Sequence, residues 1–161
     1  MSEAKTALLF LEDLLKKIED PLFVSLLWSK QNDYLKHANL FERCYTSTLN
    51  LISFNNEKGF QKLNLKEELR LIQLQTENQS FELALLNIEK LIIKANDFED
   101  YEKVIEANVW KALILAKMNE NREGMKVIRE IELNTSFNLG NEKKGFYFFV
   151  KGLLNYQILG K

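Results

Sequence analysis

Apolar residues return every three or four positions along nearly the whole chain, and that interval is the helical one. Ala4, Leu8, Leu11, Leu15 and Ile18 form the first stripe, which predicts a helix over about Ser2–Glu19. Asp20-Pro21 then reads as an N-cap with proline at the first helical position, where its missing N–H is no loss. Phe23, Leu27, Tyr34, Ala38, Phe41, Tyr45, Leu49 and Ile52 carry the period onward, with one break expected near Gln31–Asp33 or His37–Asn39. Phe54–Gly59 is polar and ends on glycine, as a turn does. Asn64 and Glu67 have capping-box spacing and open a helix that should end near Glu77. Phe81, Leu85, Ile88 and Ile92 mark the next helix. After another turn, a long one ends near Met118, apolar on almost every side and so expected to lie between neighbours. Met125, Ile128 and Ile131 share a face, Asn134–Lys143 is the longest loop, and Gly145–Lys161 is an aromatic-rich last helix.

The helices pair into units that recur at an offset of 40 positions. Leu69 falls on Val109 and Phe149, Ile72 on Ala112 and Gly152, and Leu74 on Ile114 and Leu154. In the second helix of each unit, Ala84 falls on Gly124, Leu85 on Met125, Ile88 on Ile128 and Leu91 on Ile131. One step back, Phe41, Cys44, Tyr45 and Leu51 answer to Phe81, Ala84, Leu85 and Leu91. The earlier first helix matches poorly, because Leu69 falls on Ser29 and Ile72 on Asn32. Ala112 and Gly124 are small residues twelve apart, late in one helix and early in the next, with large apolar residues following at Ile128 and Ile131.

From about Leu63 onward this arrangement resembles a tetratricopeptide-type array, in which small side chains let paired helices approach closely. It departs from that family in its longer period, about 40 against about 34, and in lacking the usual helix-ending proline. The expected fold is all-α: antiparallel hairpins stacked as a short tetratricopeptide-like α-solenoid of about seven helices. Residues 1–161 are expected to form one domain, with 1–56 an atypical capping unit and 63–161 the repeat-like hairpins. A stack leaves an apolar face at each end, and the last helix looks like a first helix lacking its partner. The resemblance implies a concave groove lined by the first helices: Gln73, Thr76 and Glu77 at its polar end, then Val109, Leu113, Ala116, Lys117, Phe149, Leu153, Tyr156 and Gln157. Its mostly apolar lining suits an amphipathic helix or apolar peptide.

Charge narrows the field. The 22 basic and 23 acidic residues are interspersed, giving a net charge of −1, so there is no footprint for nucleic acid or for a membrane surface. No signal-peptide pattern opens the chain and no long uncharged apolar window crosses it, so a cytoplasmic protein is expected. Cys44, the single cysteine, falls in the column of small residues and reads as packing. His37, the single histidine, has no partner at metal-ligand spacing, and no glycine-rich phosphate loop or nucleophile elbow occurs. The acidic pairs Glu12-Asp13, Glu67-Glu68 and Glu99-Asp100 are read as solvated helix starts. Lys111 and Lys151 share a column, which an anionic edge and ordinary solvation explain equally well. The expectation is therefore a non-catalytic module without a cofactor that binds another protein or an amphipathic peptide. A homodimer through the C-terminal helix and a small-molecule sensor with an inter-helix pocket are the alternatives.

Overall fold

The computed structural model describes residues 3–134 and 140–160. The start expected at Ser2 and the middle of the Asn134–Lys143 loop lie outside them. Among the described residues the chain is all-α: α1 (Glu3–Leu15), α2 (Pro21–His37), α3 (Phe41–Glu57), α4 (Asn64–Glu77), α5 (Phe81–Asp97), α6 (Tyr101–Lys117), α7 (Asn121–Asn134) and α8 (Asn141–Leu159). A single 3₁₀ turn, Gln61–Leu63, leads into α4. Eight helices stand where about seven were expected, and the break expected in the second periodic segment falls at Ala38–Leu40, between α2 and α3. Successive helices pack antiparallel, as in a short helical stack.

One turn accounts for the regularity. Asn39, Gly59, Gln79, Glu99 and Asn119, spaced 20 residues apart, all have left-handed backbone, with φ of 56°, 79°, 61°, 55° and 63°. At each, the next residue's N–H reaches back five positions: Leu40 to Leu35, Phe60 to Asn55, Ser80 to Gln75, Asp100 to Ala95 and Glu120 to Leu115, at 2.7–3.0 Å. The left-handed residue itself donates to the carbonyl three positions back. This is the Schellman closure, which satisfies the orphan carbonyls of a helix end. At four of the five turns the residue that ends one helix also starts the next: Cys44, Ala84, Val104 and Gly124 donate to the carbonyls of Leu40, Ser80, Asp100 and Glu120. Side-chain caps add to this at Asp20, which accepts from Leu22 and Phe23, and at Asp100, which accepts from Lys103. The capping box expected at Asn64 and Glu67 does not form. Asn64 is spent on Asn55, Asn56 and the Ile52 carbonyl, and Glu67 on Ser29 and Arg70.

The described chain comprises two compact units, Met1–Leu74 and Gln75–Lys161, with the dividing line inside α4. In the second, α6 packs against α5, α7 and α8, and α7 also meets α8. Ile105, Val109, Ala112, Leu113, Leu115, Ala116, Ile128, Val150 and Leu154 share one core cluster. Full burial of each large aliphatic side chain is worth about 1.5–3 kcal/mol. A Cβ at Gly124 would lie 2.9 Å from Leu154 Cδ2 and 3.1 Å from the Ala112 carbonyl oxygen. Glycine is therefore what lets α7 approach the α6 backbone.

The first unit is built differently. Leu8, Leu35, Cys44 and Leu74 form its apolar cluster, yet Ser25, Ser29, Asn32, Asn55, Asn64, Glu67 and Arg70 are buried beside them. Ser25 donates to Asn55 (2.6 Å), Asn55 to Asn64 (2.8 Å), and Trp28 to Ser47 (2.8 Å), which in turn donates to Asn32 (2.6 Å). Ser29 and Asn32 occupy the columns that hold Leu69 and Ile72 forty positions on, and all four are buried. The 40-residue spacing thus persists in which positions are buried, while the chemistry of the columns changes.

Candidate functional site

α8 has two unlike sides. On the inner side, Tyr147, Val150 and Leu154 are buried, and Phe146 stacks on Trp110 with ring centroids 4.9 Å apart. The Tyr147 hydroxyl and the Lys151 ammonium both donate to one oxygen of Glu132 on α7, each at 2.5 Å. Those two bonds hold the Glu132 carboxyl below its usual range. Burial, reinforced by the Glu132 carboxylate, pushes the Tyr147 phenol up. At the other end, Lys143 pairs with Glu102 (2.6 Å) and Glu106 (3.3 Å) on α6. Burial works against its charge, but the two carboxylates outweigh it and raise its pKa. Three ion contacts and an aromatic pair therefore fix which side of α8 faces out.

The outer side follows from helical geometry. At 3.6 residues per turn, Gly145, Phe148, Phe149, Asn155, Tyr156 and Leu159 all lie within about 60° of Gly152 around the axis. All are exposed, with Phe148 at 62%, Phe149 at 61%, Tyr156 at 77% and Leu159 at 84%. A Cβ at Gly145 or Gly152 would meet nothing within 4 Å. The result is a contiguous apolar strip of aromatic rings around bare backbone. Strips of this kind mark contact surfaces more often than scattered single residues do.

The expected groove residues divide between the two sides. Val109, Leu113 and Ala116 are buried in the core cluster, Leu153 packs against it half-buried, and Gln157 is half-buried. Lys117, Phe149 and Tyr156 are exposed. Val109, Leu113 and Ala116 therefore do not line an open groove, because α5, α7 and α8 close around α6. At the expected polar end, Gln73 accepts from Lys36 at 2.5 Å, Thr76 is buried and Glu77 is exposed. Lys111 and Lys151 are each paired with a glutamate, Glu89 (2.9 Å) and Glu132.

The sequence reading missed a charged cluster between α2 and α4. Ser29 donates to Glu67 at 2.5 Å, Arg70 bonds the other Glu67 oxygen, and Arg70 and Lys66 hold Asp33 at 2.5 and 3.0 Å. Burial works against the Asp33 charge, but the bonds and charges of Arg70 and Lys66 outweigh it and keep its carboxyl below the usual range. Glu67 is thus buried and paired, not a solvated helix start. Two carboxylates face two cations here and saturate each other, so the cluster reads as a packing device joining two helices. Of its members the sequence had singled out Glu67 as well as Ser29, the former as half of a capping box and of an acidic pair, the latter as a poor match to the repeat, and neither pointed to the other.

The remaining reactive groups lie apart. Cys44 is fully buried and donates to the Asn32 carbonyl at 3.4 Å, and burial pushes its thiol up. His37 is exposed in the last turn of α2. Among the described residues no group of three His, Cys, Asp or Glu side chains could hold a metal ion, and no helix is long and apolar enough to cross a membrane. Trp28, Glu42, Arg43, Thr46, Ser47 and Asn50 border an open surface notch of about 410 Å³ in the first unit. Compared with family models, with curated proteins and with solved structures, the chain matches none.

Proposed function

We propose that this chain is a tetratricopeptide-like interaction module, non-catalytic, whose docking surface is the outer side of α8 and whose ligand is a helix. One observation carries the reading: Phe148, Phe149, Tyr156 and Leu159 stand exposed around two glycines on a helix whose other side is firmly anchored. The recurring turns and the 40-residue spacing of buried positions support the tetratricopeptide-like part. Positions 149, 152 and 156 answer to Val109, Ala112 and Ala116 of α6, all of which are buried. By that register the outer side of α8 takes the kind of packing that α6 receives, helix against helix.

Photo-crosslinking tests this. A benzophenone amino acid at position 149 should give a discrete adduct, in the purified chain or in extract of the native cell, and Tyr156→Asp should abolish it. The same group at the exposed position 130 on α7 serves as control. The reading fails if position 149 gives no adduct, or the same products as position 130.

A further inference from the structure

The outer side of α8 is laid out symmetrically about Gly152. Phe148 and Tyr156 lie four positions to either side of it, Phe149 and Asn155 three, and Gly145 and Leu159 seven. We infer that its occupant is the α8 of a second copy of this chain, antiparallel, with the twofold axis through Gly152. The inference rests on reading α8 as an interaction face.

Reversing a helix about Gly152 places residue 152 + n opposite 152 − n. Leu159, 84% exposed, then lies over the bare backbone of Gly145 of the other copy. Phe148 meets Tyr156, two exposed rings that can cover each other's faces. Gly152 meets Gly152, the closest approach two helices can make. That juxtaposition has a counterpart within the chain: Gly124 of α7 sits against the Ala112 backbone of α6, and Ala112 is the residue forty positions before Gly152. Glycine is disfavoured inside helices, and neither Gly145 nor Gly152 is required by any neighbour in the monomer. Contact from outside the chain gives both a reason.

Charge agrees with the antiparallel arrangement. No acidic residue lies between positions 145 and 159, and the single cation there, Lys151, is engaged by Glu132. Lys144, eight positions before Gly152, falls beside the C-terminal carbonyls of the other α8, where a cation is favoured. The area, if wholly covered, reaches the threshold of an interface. An aromatic side chain carries about 150–250 Å². At the exposures above, the three rings and Leu159 offer at most roughly 500 Å² per copy, so about 1,000 Å² in total, the minimum an interface must clear, which implies a dimer of micromolar rather than tighter affinity.

Sedimentation velocity on the purified full chain at tens of micromolar should show about twice the 18.9 kDa mass. Gly152→Leu should return the monomer with an unchanged circular dichroism spectrum, since its side chain enters open space in the monomer. Gly152→Ala should weaken association at least tenfold while raising the melting temperature of the dilute monomer. In a Cys44→Ala background, Gly152→Cys should oxidise to a disulfide-linked dimer, whereas Gly145→Cys alone should not and should crosslink only when mixed with Leu159→Cys. A wild-type monomer at 100 micromolar, a Gly152→Leu dimer, or equal self-crosslinking at 145 and 152 would each overturn the inference. If the purified chain is monomeric but position 149 crosslinks to a protein of another mass in extract, the module reading stands and the second copy does not. If position 149 crosslinks to nothing, both fall.

Discussion

Removing Arg70 tests how much the buried charge cluster contributes to the first unit. Its side chain is 4% exposed, and that of its partner Glu67 is 2% exposed. Arg70→Met keeps most of the aliphatic volume and deletes the charge. Glu67 is then left with the Ser29 hydroxyl, and Asp33 keeps Lys66 but loses its closer partner. Breaking a buried pair from one side costs about 3–5 kcal/mol, because the remaining ion stays out of water uncompensated. Replacing both partners, Glu67→Leu with Arg70→Met, should cost at least about 2 kcal/mol less than Arg70→Met alone, since no stranded charge remains. Urea unfolding reads this out. Trp28 lies in the first unit and Trp110 in the second, so in a Trp110→Phe background the emission of Trp28 follows the first unit alone. Trp28 is anchored by its 2.8 Å bond to Ser47 and by Phe54 at 5.9 Å, so opening shifts its spectrum. With a urea slope of about 2 kcal/mol per molar, a 4 kcal/mol loss lowers the midpoint by about 2 M. A shift below about 0.5 M, or a double variant as damaged as the single one, would refute the stranded-charge argument.

Three further outcomes are expected. Asp33 titrates lower in the folded chain than its ordinary 3.8, so the stability it contributes is complete above that value and is lost as pH falls through the depressed one. Urea midpoints between pH 5 and pH 3 should therefore fall more steeply for wild type than for Asp33→Asn, and parallel curves would contradict this. At the left-handed position 99, Glu99→Val should destabilise by about 1–2 kcal/mol while Glu99→Gly should not, as followed by Trp110 fluorescence in urea. Cys44, buried and with its thiol pushed up, should react with a thiol-specific disulfide reagent at least about a hundredfold faster in denaturing urea than in buffer, and fast native labelling would show that α3 opens locally.

The parts of the fold written as apolar periodicity could be read from residues alone. Asp20-Pro21 opens α2 as expected, α4 ends at Glu77, and the 40-position offset pairs buried positions in α4 and α6 (Leu69 with Val109, Ile72 with Ala112, Leu74 with Ile114) and again at Leu154, but not at Phe149 and Gly152, which are exposed. The first unit was harder to read because its columns are filled by Ser29 and Asn32, whose burial depends on partners 15 to 41 positions away that no local pattern announces. The 20-residue step was hidden for a related reason. Its key position needs only a left-handed backbone, and Asn, Gly, Gln and Glu all take it, so no motif repeats. The groove was misplaced because Val109, Leu113 and Ala116 were assigned to a face, although the apolar residues all round α6 already called for burial on every side. For α8, the sequence showed that the tail was apolar. It did not show that Tyr147 and Lys151 meeting at Glu132 turn Phe149 and Tyr156 outward.

Each of the five left-handed turns is completed by hydrogen bonds spanning no more than six consecutive residues. A nascent polypeptide can therefore shape every corner as soon as its own few residues have emerged, without waiting for distant segments. Such closures demand little loop entropy, and topologies assembled from them reach the native state quickly. Synthesis can then proceed corner by corner, leaving each completed helix pair as a template for the following one.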